Sequence, residues 1–209
     1  MESLKLRGID ISYHNGEIDF QKVKPNVDFI IMRAGYGTKR EDSKEVKFES
    51  YYNEAKKLNI PVGTYWYCYA KNPDEALLEA KTCLDKIKGK QFEFPVFYDV
   101  EEGKILQTGR ENVSAIIKTF LGELENNGYF CGVYSSASHL ETYLTDDIRN
   151  KYEMWVAHWG VQSPRYNGKW GVWQYTSNGT MDGISGRVDL DYAIINYEQI
   201  IKSLHKNGF

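Results

Sequence analysis

Runs rich in Val, Ile, Tyr and Trp alternate along this chain with stretches of helical period, and that alternation leaves few architectures open. The runs are "LRGIDIS", "VDFIIMRAGYG", "IPVGTYWYCYA", "FEFPVFYDVE", "YFCGVYSS", "EMWVAHW", "KWGVWQYT" and the short "RVDLD". Their β-branched and aromatic content, bounded by turn residues, is that of strands. The first is expected to end at Asp10, and the second to span Val27 to Arg33 before a Gly-rich turn. Helix patterns lie between them. "YYNEAKKLNI" reads as a short amphipathic helix. Asn72 stands where an N-cap belongs, with Pro73 at the first helical position and Glu75 at the third. Leu77, Ala80, Leu84 and Ile87 then repeat at helical spacing. "ENVSAIIKTFLGELENNG" is the clearest helix. Val113, Ile116, Ile117, Phe120, Leu121 and Leu124 form one face, and Gly128 sits at the C-terminal cap. Beyond a short helix between Ser138 and Tyr143, helical periodicity is missing up to Asp189, and "YAIINYEQIIKSL" closes the chain as a helix.

The order is therefore βα repeated, then strands with little helix between them. Repeated βα units favour a parallel sheet, closed as a barrel. A chain of 209 residues can bury one sizeable core. No linker, low-complexity tract or internal repeat interrupts it, so residues 1–209 are expected to form one domain.

In such a barrel the chemistry sits at the C-terminal ends of the strands, and three expected strands carry acids there. Strand one ends in Asp10, strand four in Asp99 and Glu101, and the last holds Asp189 and Asp191. Asp99 and Glu101 are two apart, so on a strand they point the same way, while Glu102 is expected to face solvent. Crowded carboxylates raise the pKa of at least one of them, because the second ionises against the first. A carboxylic acid kept protonated in this way can serve as a general acid, and two carboxyl groups flanking a glycosidic bond are the apparatus of glycoside hydrolysis. The same acids also suit a divalent cation or loop capping.

The aromatics point toward sugars. The chain holds 16 Tyr and 5 Trp. Alternation places Tyr65, Tyr67 and Tyr69 on one face of their strand and Trp66 on the other; Trp155, Trp159, Trp170, Trp173 and Tyr175 add to the set near other strand ends. Aromatic rings stack on the apolar face of a sugar and their polar edges bond its hydroxyls.

Other classes are disfavoured. A formal net charge of -3 without a basic stripe argues against nucleic-acid binding. No apolar span is long enough for a membrane helix, and no signal peptide is visible at "MESLKLRGIDIS". Cys68, Cys83 and Cys131 have no C-x-x-C pairing and read as core thiols. The four His lack metal-ligand spacing, and His158 reads as a satisfied polar residue near a cleft. "GYG" at Gly35 to Gly37 is a turn followed by a charged segment, not a dinucleotide fingerprint. Ser135 and Ser136 lack a nucleophile elbow.

"GIDISYHNGEIDF", "FIIMRAGYG", "IPVGTYWYCYA", "FPVFYDVEE", "GVYSS", "MWVAHW", "WQYT" and "VDLDYA" run in an order that resembles glycoside hydrolase family 25, from about Arg7 to Tyr192. The resemblance implies a flattened TIM-like β/α barrel of five βα units followed by three strands. It implies hydrolysis of the β-1,4 bond between N-acetylmuramic acid and N-acetylglucosamine in peptidoglycan, without cofactor or metal, by a monomer acting on the cell wall. By resemblance Glu101 is the general acid/base and Asp99 its partner, as nucleophile or as support for the substrate's own acetamide. Asp10 and Asp189 are the remaining acids of the cleft, and Tyr65, Tyr67, Tyr134, Trp155 and Gln174 are its wall. Asp191 often has Asn as its counterpart, which leaves open whether it shares the role of Asp189. Gly35 and Tyr36 stand where many members have Thr or Ser followed by Glu, so no role is carried over there. Many wall-lytic relatives append a wall-binding module, and none is visible. A D-x-E pair on one strand spaces its carboxyls at roughly 6 to 7 Å. That exceeds the ~5–5.5 Å of a direct nucleophile and favours assistance by the substrate. Two rival readings are a catalytically silent sugar-binding barrel and a metal-dependent barrel hydrolase.

Overall fold

Eight strands close into a barrel in sequence order. The computed structural model describes residues 4–38 and 46–209; the charged segment after the "GYG" turn lies outside the described residues. The strands are β1 (Leu6–Ile11), β2 (Phe29–Tyr36), β3 (Val62–Tyr67), β4 (Val96–Asp99), β5 (Cys131–Ser136), β6 (Glu153–Ala157), β7 (Val172–Gly179) and β8 (Val188–Ala193). The helices are α1 (Phe20–Val23), α2 (Val46–Lys57), α3 (Pro73–Ile87), α4 (Gly103–Leu106), α5 (Arg110–Asn126), α6 (Ala137–Tyr143), α7 (Asp146–Lys151) and α8 (Tyr197–Ser203). Five βα units followed by three strands is the arrangement the family resemblance implies. No described helix is long and apolar enough to cross a membrane.

Several elements differ from expectation. The sheet is not wholly parallel: β1 to β7 run parallel, whereas β8 is antiparallel to both β7 and β1 and closes the ring between them. Strand β1 continues one residue past Asp10. The segment "YAII" does not begin the last helix, because Tyr192 and Ala193 belong to β8 and α8 starts at Tyr197. Helix α2 starts well before "YYNEAKK". Helix α7, with Ile148 as its buried residue, is too short to show a periodic stripe. Helix α3 is capped as expected, the Asn72 side chain accepting from the Glu75 N–H. Its buried face, however, is Ala76, Glu79, Ala80, Cys83 and Ile87, with Leu77 and Leu84 only half-buried.

Strand alternation sorts side chains into two cores. Outside the barrel, Val96 and Tyr98 of β4 face the helices, and Tyr98 stacks on Phe120 of α5 with ring centroids 3.7 Å apart. All six apolar residues expected on the α5 face are buried there. The three cysteines are free and buried in this outer layer. Inside the barrel, aromatic rings fill the lumen. Phe29 stacks on Phe94 at 4.2 Å, and Trp155 meets Phe97 at 5.2 Å, Tyr134 at 4.5 Å and Tyr65 at 5.9 Å. Two strand glycines make this possible: a Cβ on Gly8 would lie 2.1 Å from the Phe29 ring, and one on Gly132 would lie 2.5 Å from Phe97. At the base, buried Asn207 donates to the carbonyls of Phe92 and Phe94 and accepts from the Phe130 N–H, clasping the chain end to the barrel. The lumen is thus packed solid below and polar above, so chemistry is confined to its upper end.

Candidate active site

The C-terminal ends of β1 to β4 and, because β8 runs the other way, the N-terminal end of β8 surround an open cleft of about 980 Å³. Asp99, Glu101, Asp189, Tyr65, Tyr67 and Tyr69 line it, together with Arg33, Glu75 and Glu79. Tyr65, Tyr67 and Tyr69 share its wall as alternation predicts, and Trp66 points outward, its indole donating to the Gly37 carbonyl.

Asp99 ends β4 on the lumen side, buried, and its Oδ1 has no hydrogen-bond partner among the described residues. Burial raises its pKa well above the usual carboxylate range; the Glu101 charge raises it further, and the Arg33 guanidinium opposes. Glu101 lies beyond the strand, so the two are not successive inward positions of one strand as expected. Val100 between them is buried, and its carbonyl accepts from the Ser135 hydroxyl at 2.6 Å, which pins the turn that carries Glu101. Glu101 stands at the cleft mouth with its side chain accessible. Partial desolvation raises its pKa first, then the charges of Asp189 and Glu102. Crowding by its neighbour is therefore felt by Asp99 rather than by Glu101. Glu102, expected to be the solvated acid, is half-buried, and its carbonyl accepts from Ile105 and Leu106 at the start of α4.

Asp10 faces Asp189 across the β1–β8 pair, and Gly8 faces Asp191. Asp10, Asp189 and Asp191 form one carboxyl cluster beside the cleft, in which the buried Asp191 Oδ2, like Asp99 Oδ1, has no hydrogen-bond partner among the described residues. Burial pushes Asp10 well up, aided by the charges of Asp191 and Asp189. Burial raises Asp189 to about 6 against its hydrogen bond with Asp10. It raises Asp191 to about 8 despite hydrogen bonds from Trp155 and Asp10. A cluster built this way retains protons near neutrality.

Three expected wall residues lie deeper than the cleft surface. Trp155 and Asp191 are 1 % exposed and Gln174 is 3 % exposed. They hold the acids from below. The Trp155 indole donates to Asp191 at 2.8 Å, and Gln174 donates to Asp10 Oδ2 at 2.7 Å. Gln174 Oε1 accepts from the Tyr134 hydroxyl at 3.0 Å and the Trp159 indole at 3.0 Å. Tyr134 is likewise nearly buried. Trp173 and Tyr175 flank the inward Gln174 on β7, so alternation turns them to the outer face. There Trp173 packs against Trp170, Tyr175 and Tyr192, away from the cleft. His158 Nδ1 accepts from the Arg165 N–H.

Sequence reasoning missed three charged residues of the cleft: Glu75, read only as a helix-cap partner, Arg33 and Glu79. Arg33 of β2 lies over the Tyr13 ring at 4.7 Å, and its Nη2 is buried with no partner among the described residues. Its signal was a cation inside an apolar strand. Glu79 of α3 is 2 % exposed. It accepts from the Tyr98 hydroxyl at 2.8 Å and the Tyr69 N–H at 3.0 Å. Burial lifts its pKa to about 7 against those hydrogen bonds. Its signal was an acid within the Ala76–Ala80–Cys83 stripe.

This arrangement has known counterparts. Residues 9–184 match the family described as Glycosyl hydrolases family 25. The autolytic lysozyme of Clostridium acetobutylicum is 28% identical over 187 residues, covering 89% of this chain and 55% of that protein. The modular autolysin LytC of Streptococcus pneumoniae, solved in complex with a synthetic peptidoglycan ligand, is 33% identical with a TM-score of 0.77, covering 90% of this chain and 46% of that one. The bacterial lysozyme of Streptomyces coelicolor is 23% identical and shares the fold, with a TM-score of 0.80 over 94% of this chain and 95% of that one. The chain thus spans about half the length of the autolytic lysozyme and of LytC. With the barrel, the acid-lined strand ends and a family match across most of its length, the chain belongs to glycosyl hydrolases family 25.

Proposed function

We propose that this chain is a lysozyme that hydrolyses the β-1,4 bond between N-acetylmuramic acid and N-acetylglucosamine in peptidoglycan, with retention and with help from the substrate's acetamide. The unpartnered, buried Asp99 Oδ1 beside Glu101 carries this reading. A buried acceptor without a donor is costly, and an acetamide N–H supplies the missing donor. Lysozyme and autolysin relatives, one solved with a peptidoglycan ligand, support the substrate class.

In this mechanism Glu101 protonates the glycosidic oxygen as the bond to the anomeric carbon breaks. The acetamide carbonyl oxygen attacks that carbon from the opposite face, and the ring so formed is cationic. Asp99, held ionised by Arg33 and by the donated N–H, balances that charge. Glu101, now a carboxylate, takes a proton from water, which opens the ring and restores the original configuration. Asp10 and Asp189 hold the sugar, and Tyr65 and Tyr67 pack against it. The enzyme works at the cell wall as a monomer, needs no cofactor or metal, and takes neither nucleic acid nor membrane as partner.

The test is Glu101→Gln on purified peptidoglycan. Release of reducing ends should fall at least ~100-fold, at the lower end of what general acid catalysis contributes. Mass analysis should find N-acetylmuramic acid at the new reducing ends; N-acetylglucosamine there would make the enzyme a glucosaminidase instead.

A further inference from the structure

Glu101 faces two cavities. Beyond it from the acid cleft lies a second one of about 410 Å³ over the ends of β5 and β6, lined by Glu101, Tyr134, Ser136, His139, Trp159 and Arg165 among others. The acids are crowded on one side of Glu101 and sparse on the other. The cleft gathers Glu75, Glu79, Asp99, Glu101 and Asp189 around Arg33. The second cavity sets one cation, Arg165, beside the shared Glu101 and Glu141, and Glu141 is engaged by the Asn167 N–H at 2.7 Å.

Trp159 is 53% exposed, yet it is not loose. Its indole N–H is tied to Gln174, and Gln174 in turn to Asp10. The ring is thus anchored at its polar edge while half its surface meets water. A large ring held open in this way is a platform for stacking, and its anchor joins it to the carboxyl cluster of the cleft.

We propose that this second cavity is the leaving-group side of the site: the sugar released by cleavage stacks on Trp159, and an anionic substituent further along the departing strand meets Arg165. This rests on the lysozyme reading, which makes Glu101 the donor to the leaving oxygen. The scissile oxygen then sits at the border the two cavities share. Developing positive charge falls among the acids on one side, and carboxylates of the departing strand fall beside Arg165 on the other.

The experiment compares wild type, Trp159→Ala, Trp159→Phe and Arg165→Gln on soluble glycan strands that carry peptides and on the same strands stripped by an amidase. Trp159→Ala should lower kcat/KM about tenfold on both, and Trp159→Phe should keep most of the activity. Arg165→Gln should lower it about three- to tenfold on peptide-bearing strands only. On oligosaccharides trimmed to one sugar beyond the cleaved bond, the loss in Trp159→Ala should persist and the loss in Arg165→Gln should vanish. Arg165→Gln acting equally on every substrate would overturn the assignment. So would equal losses in both Trp159 variants with a lowered melting temperature, since the ring would then serve packing. If wild type cleaves the strands and the variants stay within about twofold of it, the leaving-side assignment fails while the lysozyme reading stands. If wild type releases no reducing ends from either strand, the lysozyme reading itself fails.

Discussion

Asp99 and Glu101 are both shifted upward, but only Asp99 has a cation set against that shift, and the difference separates their roles. On the proposed mechanism Asp99→Asn should lower kcat with little change in KM, because the charge it would balance develops only after the substrate has bound; single-turnover kinetics would check this. Arg33→Met removes the cation, so the Asp99 pKa rises further and its ionised form is reached only at higher pH. The acidic limb of the kcat/KM profile should then move to higher pH, and kcat at pH 6 should fall at least about tenfold. A profile that keeps its shape would assign Arg33 to packing alone. At this scale the acids were legible because strand ends in a βα barrel are where chemistry collects. Depth was not. Alternation says which side Trp155, Gln174 and Asp191 face, and it cannot say how far down the lumen they lie.

Among the elements, α5 could be read in full because it covers the outer barrel with a wide apolar face. Helix α3 was harder: its small and polar buried face lets Glu79 reach the cleft, so the larger Leu77 and Leu84 misled the stripe. The direction of β8 was not legible, since a period of two is the same read forward or backward. Its cap makes α3 a clean test. Asn72→Ala should cost about 1 kcal/mol, measured by denaturant unfolding. Within the strands, Gly132→Ala should destabilise by ~1–3 kcal/mol as an overpacking change. The added methyl would press on Phe97 and on the Glu153 carbonyl 2.7 Å away, and a carbonyl in the ladder cannot step aside.

As a whole the molecule spends stability on its acids. Glu79, Asp189 and Asp191 have folded pKa values of about 7, 6 and 8, all raised from the carboxylate range by burial. Between an unfolded pKa of about 4 and those values the folded state binds more protons, so stability is fully present below pH ~4 and falls as pH rises toward 8. Thermal unfolding should therefore show a higher Tm at pH 5 than at pH 8, and Asp191→Asn should flatten that slope. The order and number of βα units were legible because each strand and helix carries its own period. The seam was not, because it depends on β8 entering between its two neighbours from the opposite direction. That seam has a consequence for synthesis. Asp10 leaves the ribosome well before Asp189, and the two meet only when β8 pairs with β1. Chains grow from the N-terminus, so a nascent or truncated product without β8 carries the D-x-E pair but no finished cluster. Pairing of β8 with β1 is therefore the step that completes the carboxyl cluster, and it comes after every other strand of the barrel has been made.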